Sequence, residues 1–164
     1  MLQFVSYDVV FQEVPNEVTL AINISGCPNK CKGCHSPHLQ ENHGQELDCG
    51  VLASLLARYQ RSVTCVCFMG GDSDPKTVDE LAAFVRKTTS NQVKTAWYSG
   101  QNQFSKDVSL SHFNYIKLGP YIEQLGGLGS IRTNQRFFMI DNNTIIDCTN
   151  FFAKKMNESP FSFA

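Results

Sequence analysis

Three cysteines stand within eight positions of the stretch SGCPNKCKGCHSP, residues 25–37. Their spacing is C-x3-C-x2-C: Cys27, Cys31 and Cys34. Thiolate sulfur is a soft ligand and favours iron–sulfur clusters or zinc. A tetrahedral zinc site needs a fourth ligand, and His35, His38 and Cys49 are the nearby candidates. An ordinary four-iron cluster takes four cysteines. Three would leave one iron with an open position, which is what a reactive metal centre needs. A tidy disulfide framework does not suit seven cysteines. Spacing alone leaves cluster, zinc and a fortuitous grouping open.

A second candidate is Gly70-Gly71-Asp72, which ends an apolar run, Val63 to Met69. Glycines there let the backbone approach a ligand closely, and Asp72 could accept hydrogen bonds from a cationic group. The plain reading is a tight strand-to-helix turn. Gly33 reads equally as a turn needing positive φ. His35, His38 and His43 read as solvated loop residues, with His35 also able to line a site. Cys65 and Cys67, two apart on a strand, share a face and read as buried structural thiols, as do Cys49 and Cys148.

The elements that must position these residues can be read from periodicity. Residues 3–11 and the alternating 17–24 predict a hairpin running into the cysteine loop, with Val18, Leu20, Ile22 and Ile24 on its one buried face. A helix is expected over 48–61, then a strand at 63–69 buried on both faces. Asp74-Pro75 is an N-cap followed by proline at the first helical position, opening a helix to about Thr88. Strands are expected at 92–99 and 114–118. Residues 135–140 and 144–148 flank Asp141-Asn142-Asn143 as a late hairpin. Residues 150–164 read as a short helix or loose tail. Strands alternating with helices predict an α/β fold with a mostly parallel sheet. At 164 residues the chain suits one domain and is too short for a complete eight-stranded α/β barrel.

The net charge of −1 offers no basic field for nucleic acid. No apolar run approaches the ~18 residues of a membrane span. The first residues lack the features of a secretory signal. The expectation is a cytoplasmic protein, where thiols stay reduced.

The cysteine spacing resembles the radical S-adenosylmethionine (SAM) superfamily signature. Most members carry an aromatic residue where Gly33 stands. The C-x3-C-x-G-C form is instead similar to the small activating proteins of anaerobic ribonucleoside-triphosphate reductase. Met69-Gly70-Gly71-Asp72 resembles the family's Gly-Gly-acid motif, and Tyr98-Ser99-Gly100 its Y-[ST]-G strand end. The stretch YIKLGPYIEQLGGLGSIRTNQRFF, residues 115–138, resembles the family's GPY…LGGL…TNQR segment. The likeness runs over roughly residues 5–140. One departure is Asp72-Ser73-Asp74-Pro75, where members commonly have a proline and an apolar residue after the acid. It leaves open whether Asp72 or Asp74 faces the cofactor.

The resemblance implies an open partial (β/α) barrel and an oxidoreductase, a glycyl-radical activating enzyme. Cys27, Cys31 and Cys34 would ligate a [4Fe-4S] cluster. Gly33, Cys34, His35, Gly70, Gly71 and Asp72 would contact SAM, with Asp72 at its ammonium. A one-electron donor, such as flavodoxin or a thiol system, would reduce the cluster. Reductive cleavage of SAM would give methionine and a 5′-deoxyadenosyl radical, which takes hydrogen from a glycine of the reductase. Lys117, Arg132 and Arg136 would help meet the partner or close over SAM. Pyruvate formate-lyase, another glycyl-radical enzyme or a small molecule are alternative targets. A non-catalytic zinc-binding module is the reading from a different class.

Overall fold

The computed structural model describes residues 1–157, with side chains to residue 153. Eight strands form one open sheet in the order β3-β1-β2-β4-β5-β6-β7-β8. They are β1 (Gln3–Val10), β2 (Thr19–Ile24), β3 (Gln45–Glu46), β4 (Cys65–Met69), β5 (Lys94–Tyr98), β6 (Tyr115–Leu118), β7 (Arg136–Asp141) and β8 (Thr144–Asp147). The expected mostly parallel sheet is corrected to a mixed one. Only the central pairs β2–β4, β4–β5 and β5–β6 are parallel. The pairs outside them, β1–β2, β1–β3, β6–β7 and β7–β8, are antiparallel. A parallel pair needs a long crossover, whereas the short connections of β1–β2 and β7–β8 return the chain antiparallel. The crossovers into β4 and β5 carry α1 (Cys49–Tyr59) and α2 (Pro75–Thr88). The one into β6 carries only a 3-10 turn, Leu110–His112. At the late hairpin, Asn142 and Asn143 both take positive φ, 48° and 67°, as a two-residue hairpin turn requires.

The α2 helix starts where its cap predicts, and α1 starts on a cap of the same kind. The Asp48 side chain accepts from Val51 N, and that of Asp74 from Thr77 N with Pro75 at the first turn. Leu52, Leu55 and Leu56 of α1 and Val78, Leu81, Ala82 and Val85 of α2 are buried. They pack on one face of the sheet with Leu20, Ile22, Val66, Phe68, Trp97 and Ile116. Each such large aliphatic side chain stabilises by roughly 1.5–3 kcal/mol. The opposite face carries a smaller cluster, Cys65, Cys67, Ala96, Tyr115 and Phe137 with Val14. Alternation thus predicts one buried face for β2, but the strand is buried on both, because it lies inside the sheet rather than at its edge. Asn150–Asn157 form α3; the rest of the expected helix or tail, residues 158–164, lies outside the described residues. No helix among the described residues is long and apolar enough to cross a membrane.

At the sheet end remote from the cysteine loop, Glu17 is buried. Its carboxylate accepts from Lys94 Nζ (2.6 Å), Thr64 Oγ1 (2.5 Å) and the Tyr115 hydroxyl (2.9 Å). Burial pushes the carboxyl up, but these three donors together outweigh it and hold the group below its ordinary range. A depressed folded-state pKa adds stability that is complete above the unfolded value and disappears as pH falls through the folded one. Glu17→Gln is therefore expected to cost about 1.5–3 kcal/mol at pH 7. The difference from the parent should shrink toward pH 3 in urea unfolding measured at both pH values.

Candidate metal centre

The cysteine loop leaves the carboxyl end of β2 and is laced shut at its neck. Ser25 N donates to Gln3 O (2.9 Å), Gly26 N to Glu41 O (3.2 Å) and Cys27 N to Leu39 O (2.9 Å). His43 N donates to Ser25 Oγ (3.1 Å). Inside the neck, Cys34 N donates to Cys31 O (3.2 Å) and closes a tight turn. Gly33 holds φ +75° in that turn, the backbone reason foreseen for a glycine at this place.

Three cysteines on a loop outside regular structure share one cavity. Cys27, Cys31 and Cys34 are each partly exposed and line a space of about 340 Å³. Its floor is a row of side chains set by strand register: Asn23 pairs with Met69, Met69 with Tyr98, and Tyr98 with Lys117. All four line the cavity, as do Gly70, His35 and Tyr121. The space thus sits over the carboxyl ends of four parallel strands, on the sheet face opposite α1 and α2. Crevices at such strand ends are where open α/β sheets hold ligands.

Charge in the cavity is arranged for anionic sulfur. Ser36 N lies 3.4 Å from Cys34 Sγ and Asn29 Nδ2 3.6 Å from Cys27 Sγ, both as donors. Lys117 is 9% exposed. Its Nζ donates to Gly119 O (2.7 Å) and Ser99 O (3.2 Å). Burial pushes its ammonium down to about 8, against the opposing pull of charge on Asp72, Cys31 and Cys27. The sequence groups Lys117 with Arg132 and Arg136 as cations that meet a partner or close over a ligand, without setting it apart from them. A lysine between Ile116 and Leu118 in a four-residue apolar strand was the signal that it faces a site. Arg132 and Arg136 are exposed and do not line the cavity.

The Gly-Gly-Asp segment is divided by the fold. Gly70 lines the cavity, and its carbonyl accepts from Trp97 Nε1 (2.8 Å), which fixes its orientation. Gly71 turns the chain into α2 at φ +97°, where a Cβ would lie 2.5 Å from Val78 Cγ2. Asp72 does not line the cysteine cavity; it borders a neighbouring polar groove with Ser99 and Gln101. Its Oδ1 accepts from Ser99 Oγ (2.5 Å), and its Oδ2 from Gly100 N and Asn29 Nδ2 (both 2.7 Å). Asp74 is occupied by the cap of α2.

Of the proposed fourth zinc ligands, His35 lines the cavity, 4.9 Å from the Tyr121 ring centroid to centroid, whereas His38 and Cys49 do not. Cys65 and Cys67 are fully buried in the smaller core cluster. Burial drives both thiols strongly upward, so they stay protonated.

These residues fit a polynuclear cluster. Among the described residues, no three His, Cys, Asp or Glu side chains converge closely enough to hold one ion. A cube of four irons does not ask for that, since each thiolate takes its own iron. Three thiols around a common cavity, two with N–H donors and a buried cation beside them, form such a donor set. The open α/β sheet and this cysteine loop fit an iron–sulfur protein. A family model described as a 4Fe-4S single cluster domain matches residues 17–117, more than half of the chain, and the chain belongs to that family. Neither a curated protein nor a solved structure matches the chain.

Proposed function

We propose that the chain is a radical SAM activating enzyme that generates a glycyl radical on anaerobic ribonucleoside-triphosphate reductase. The observation that carries this reading is the single cavity at the parallel strand ends, where Cys27, Cys31, Cys34, Gly70 and Lys117 meet. With three thiolates assigned, one iron of a four-iron cluster keeps a position for substrate. The cluster supplies, when loaded, one electron for reductive cleavage of the sulfonium in SAM. The chain's own residues do the rest. Gly70, without a side chain, admits the cofactor close to its backbone. Lys117 sets a cation toward the SAM carboxylate. His35 and Tyr121 offer ring faces at the wall for the adenine. The sheet is open, so a glycine loop of the partner reaches the cavity from the uncovered side. A flavodoxin or thiol system is the electron donor in this reading.

The test is electron paramagnetic resonance of the reduced protein with SAM, mixed in turn with candidate partners. A glycyl-radical doublet with the anaerobic reductase is expected. A doublet only with pyruvate formate-lyase would overturn the assigned partner. A loaded cluster that neither cleaves SAM nor yields a doublet with any partner would overturn the reading as a whole.

A further inference from the structure

The acid of the Gly-Gly-Asp turn, at the end of the neighbouring strand β4, grips the cysteine loop at residue 29. The Asn29 side chain has two N–H donors and one oxygen acceptor, and the structure uses all of them. Nδ2 donates to Asp72 Oδ2 (2.7 Å) and lies 3.6 Å from Cys27 Sγ as a donor. Oδ1 accepts from Gln101 Nε2 (2.6 Å). A flipped amide would set its oxygen against the Asp72 carboxylate, so the orientation is fixed by chemistry. The receiving surface is equally built. Ser99 Oγ and Gly100 N hold Asp72 in place, and Ser99 Oγ also accepts from Gln101 N (3.1 Å). At Gly100, a Cβ would fall 2.4 Å from Asn29 Nδ2. Only glycine there lets Asn29 seat.

We propose that Asn29 is a positioning residue whose amide, clamped by Asp72 and Gln101, holds a hydrogen bond on the Cys27 sulfur and so sets the reduction potential of the cluster. The inference rests on Cys27 as a cluster ligand, and it requires neither SAM nor the glycyl-radical partner. Reduction adds negative charge to the cluster and its sulfurs, so a donor on a ligating thiolate favours the reduced form. Removing it lowers the potential. Asp72 thereby acts through Asn29 on Cys27, although 45 residues separate Asp72 from that cysteine (72 − 27).

The experiment is a spectroscopic redox titration of anaerobically reconstituted parent, Asn29→Ala, Gly100→Ala and Gln101→Ala proteins. Asn29→Ala is expected to lower the reduction equilibrium constant about tenfold, 59 mV for one electron. Gly100→Ala should shift it in the same direction by displacing the amide. If Asn29→Ala does not load, Gln101→Ala, at an exposed position, decides on the same criterion. Asp72→Ala, made in the parent and in Asn29→Ala, completes a double-mutant cycle. An Asp72 effect at least threefold different between the two backgrounds supports action through Asn29. Equal effects, or an unchanged potential in the loaded position-29, 100 and 101 variants, overturn the inference. Cys27→Ser separates the two levels. Loss of the parent cluster spectrum there keeps Cys27 as a ligand whatever the potentials show. An unchanged spectrum removes both the ligand and this inference.

Discussion

Replacing any one of Cys27, Cys31 or Cys34 by alanine is expected to abolish the parent cluster, with iron retention falling more than the ~10–100-fold typical when a mere outer partner of a ligand is lost. The three thiols are the cysteines that share the cavity. No remaining cysteine can substitute. Cys65 and Cys67 lie in the core and are held protonated. Cys49 sits exposed at the start of α1 and does not reach the site. Cys148 lies with Phe137 and Phe152 at the edge of the smaller core. Cys49→Ser and Cys148→Ser should therefore keep the parent's iron, sulfide and visible absorption. Helix content by circular dichroism should survive in the loop variants, because neither helix core draws on the loop. A variant at 27, 31 or 34 that keeps a full cluster would remove that residue from the ligand set.

The second large effect is expected at Lys117. Its ammonium is buried in the cavity wall and, among the described residues, has no carboxylate within ion-pair distance. Two backbone carbonyls satisfy part of it. A cation kept there against its desolvation cost is poorly explained by stability, since a buried charge without a counter-ion is unfavourable. It is well explained by an anionic ligand. Under the proposed function, Lys117→Met loses a charge-assisted contact worth about 1.5–3 kcal/mol, which weakens SAM binding by about 10–150-fold at 1.4 kcal/mol per tenfold. Thermal stability should hold or rise, because the methionine removes the buried charge. Equilibrium binding of SAM to the reconstituted protein, read beside the melting curve, separates the outcomes. Unchanged affinity with a lowered melting temperature would make Lys117 a structural residue.

What could be read from the sequence was what local chemistry sets. Apolar periodicity places α1, Asp74-Pro75 places the start of α2, and Asp141-Asn142-Asn143 places the late turn. The C-x3-C-x2-C spacing marked the loop that the fold hangs over the strand ends. What was missed depends on partners distant in the chain. The two-residue β3 exists only through Gln3 and Phe4 of β1, and nothing in Gln45-Glu46 announces it. The parallel pairs β2–β4 and β4–β5 are legible as helical crossovers, but the antiparallel flanks follow from where the two hairpins attach. Alternation could not tell that β2 is internal. The fold ties Asp72 to Asn29, Ser99 and Gly100, contacts that no spacing rule reveals.

The central claim is that three thiolates hold a four-iron cluster with one iron free of protein sulfur. Mössbauer spectroscopy of the anaerobically reconstituted chain, before and after addition of SAM, tests it most directly. The account predicts about four irons and four sulfides per chain, with one iron site changing its spectrum when SAM is added. A colourless protein that carries one zinc through Cys27, Cys31 and Cys34, or a cluster whose irons all ignore SAM, would contradict it.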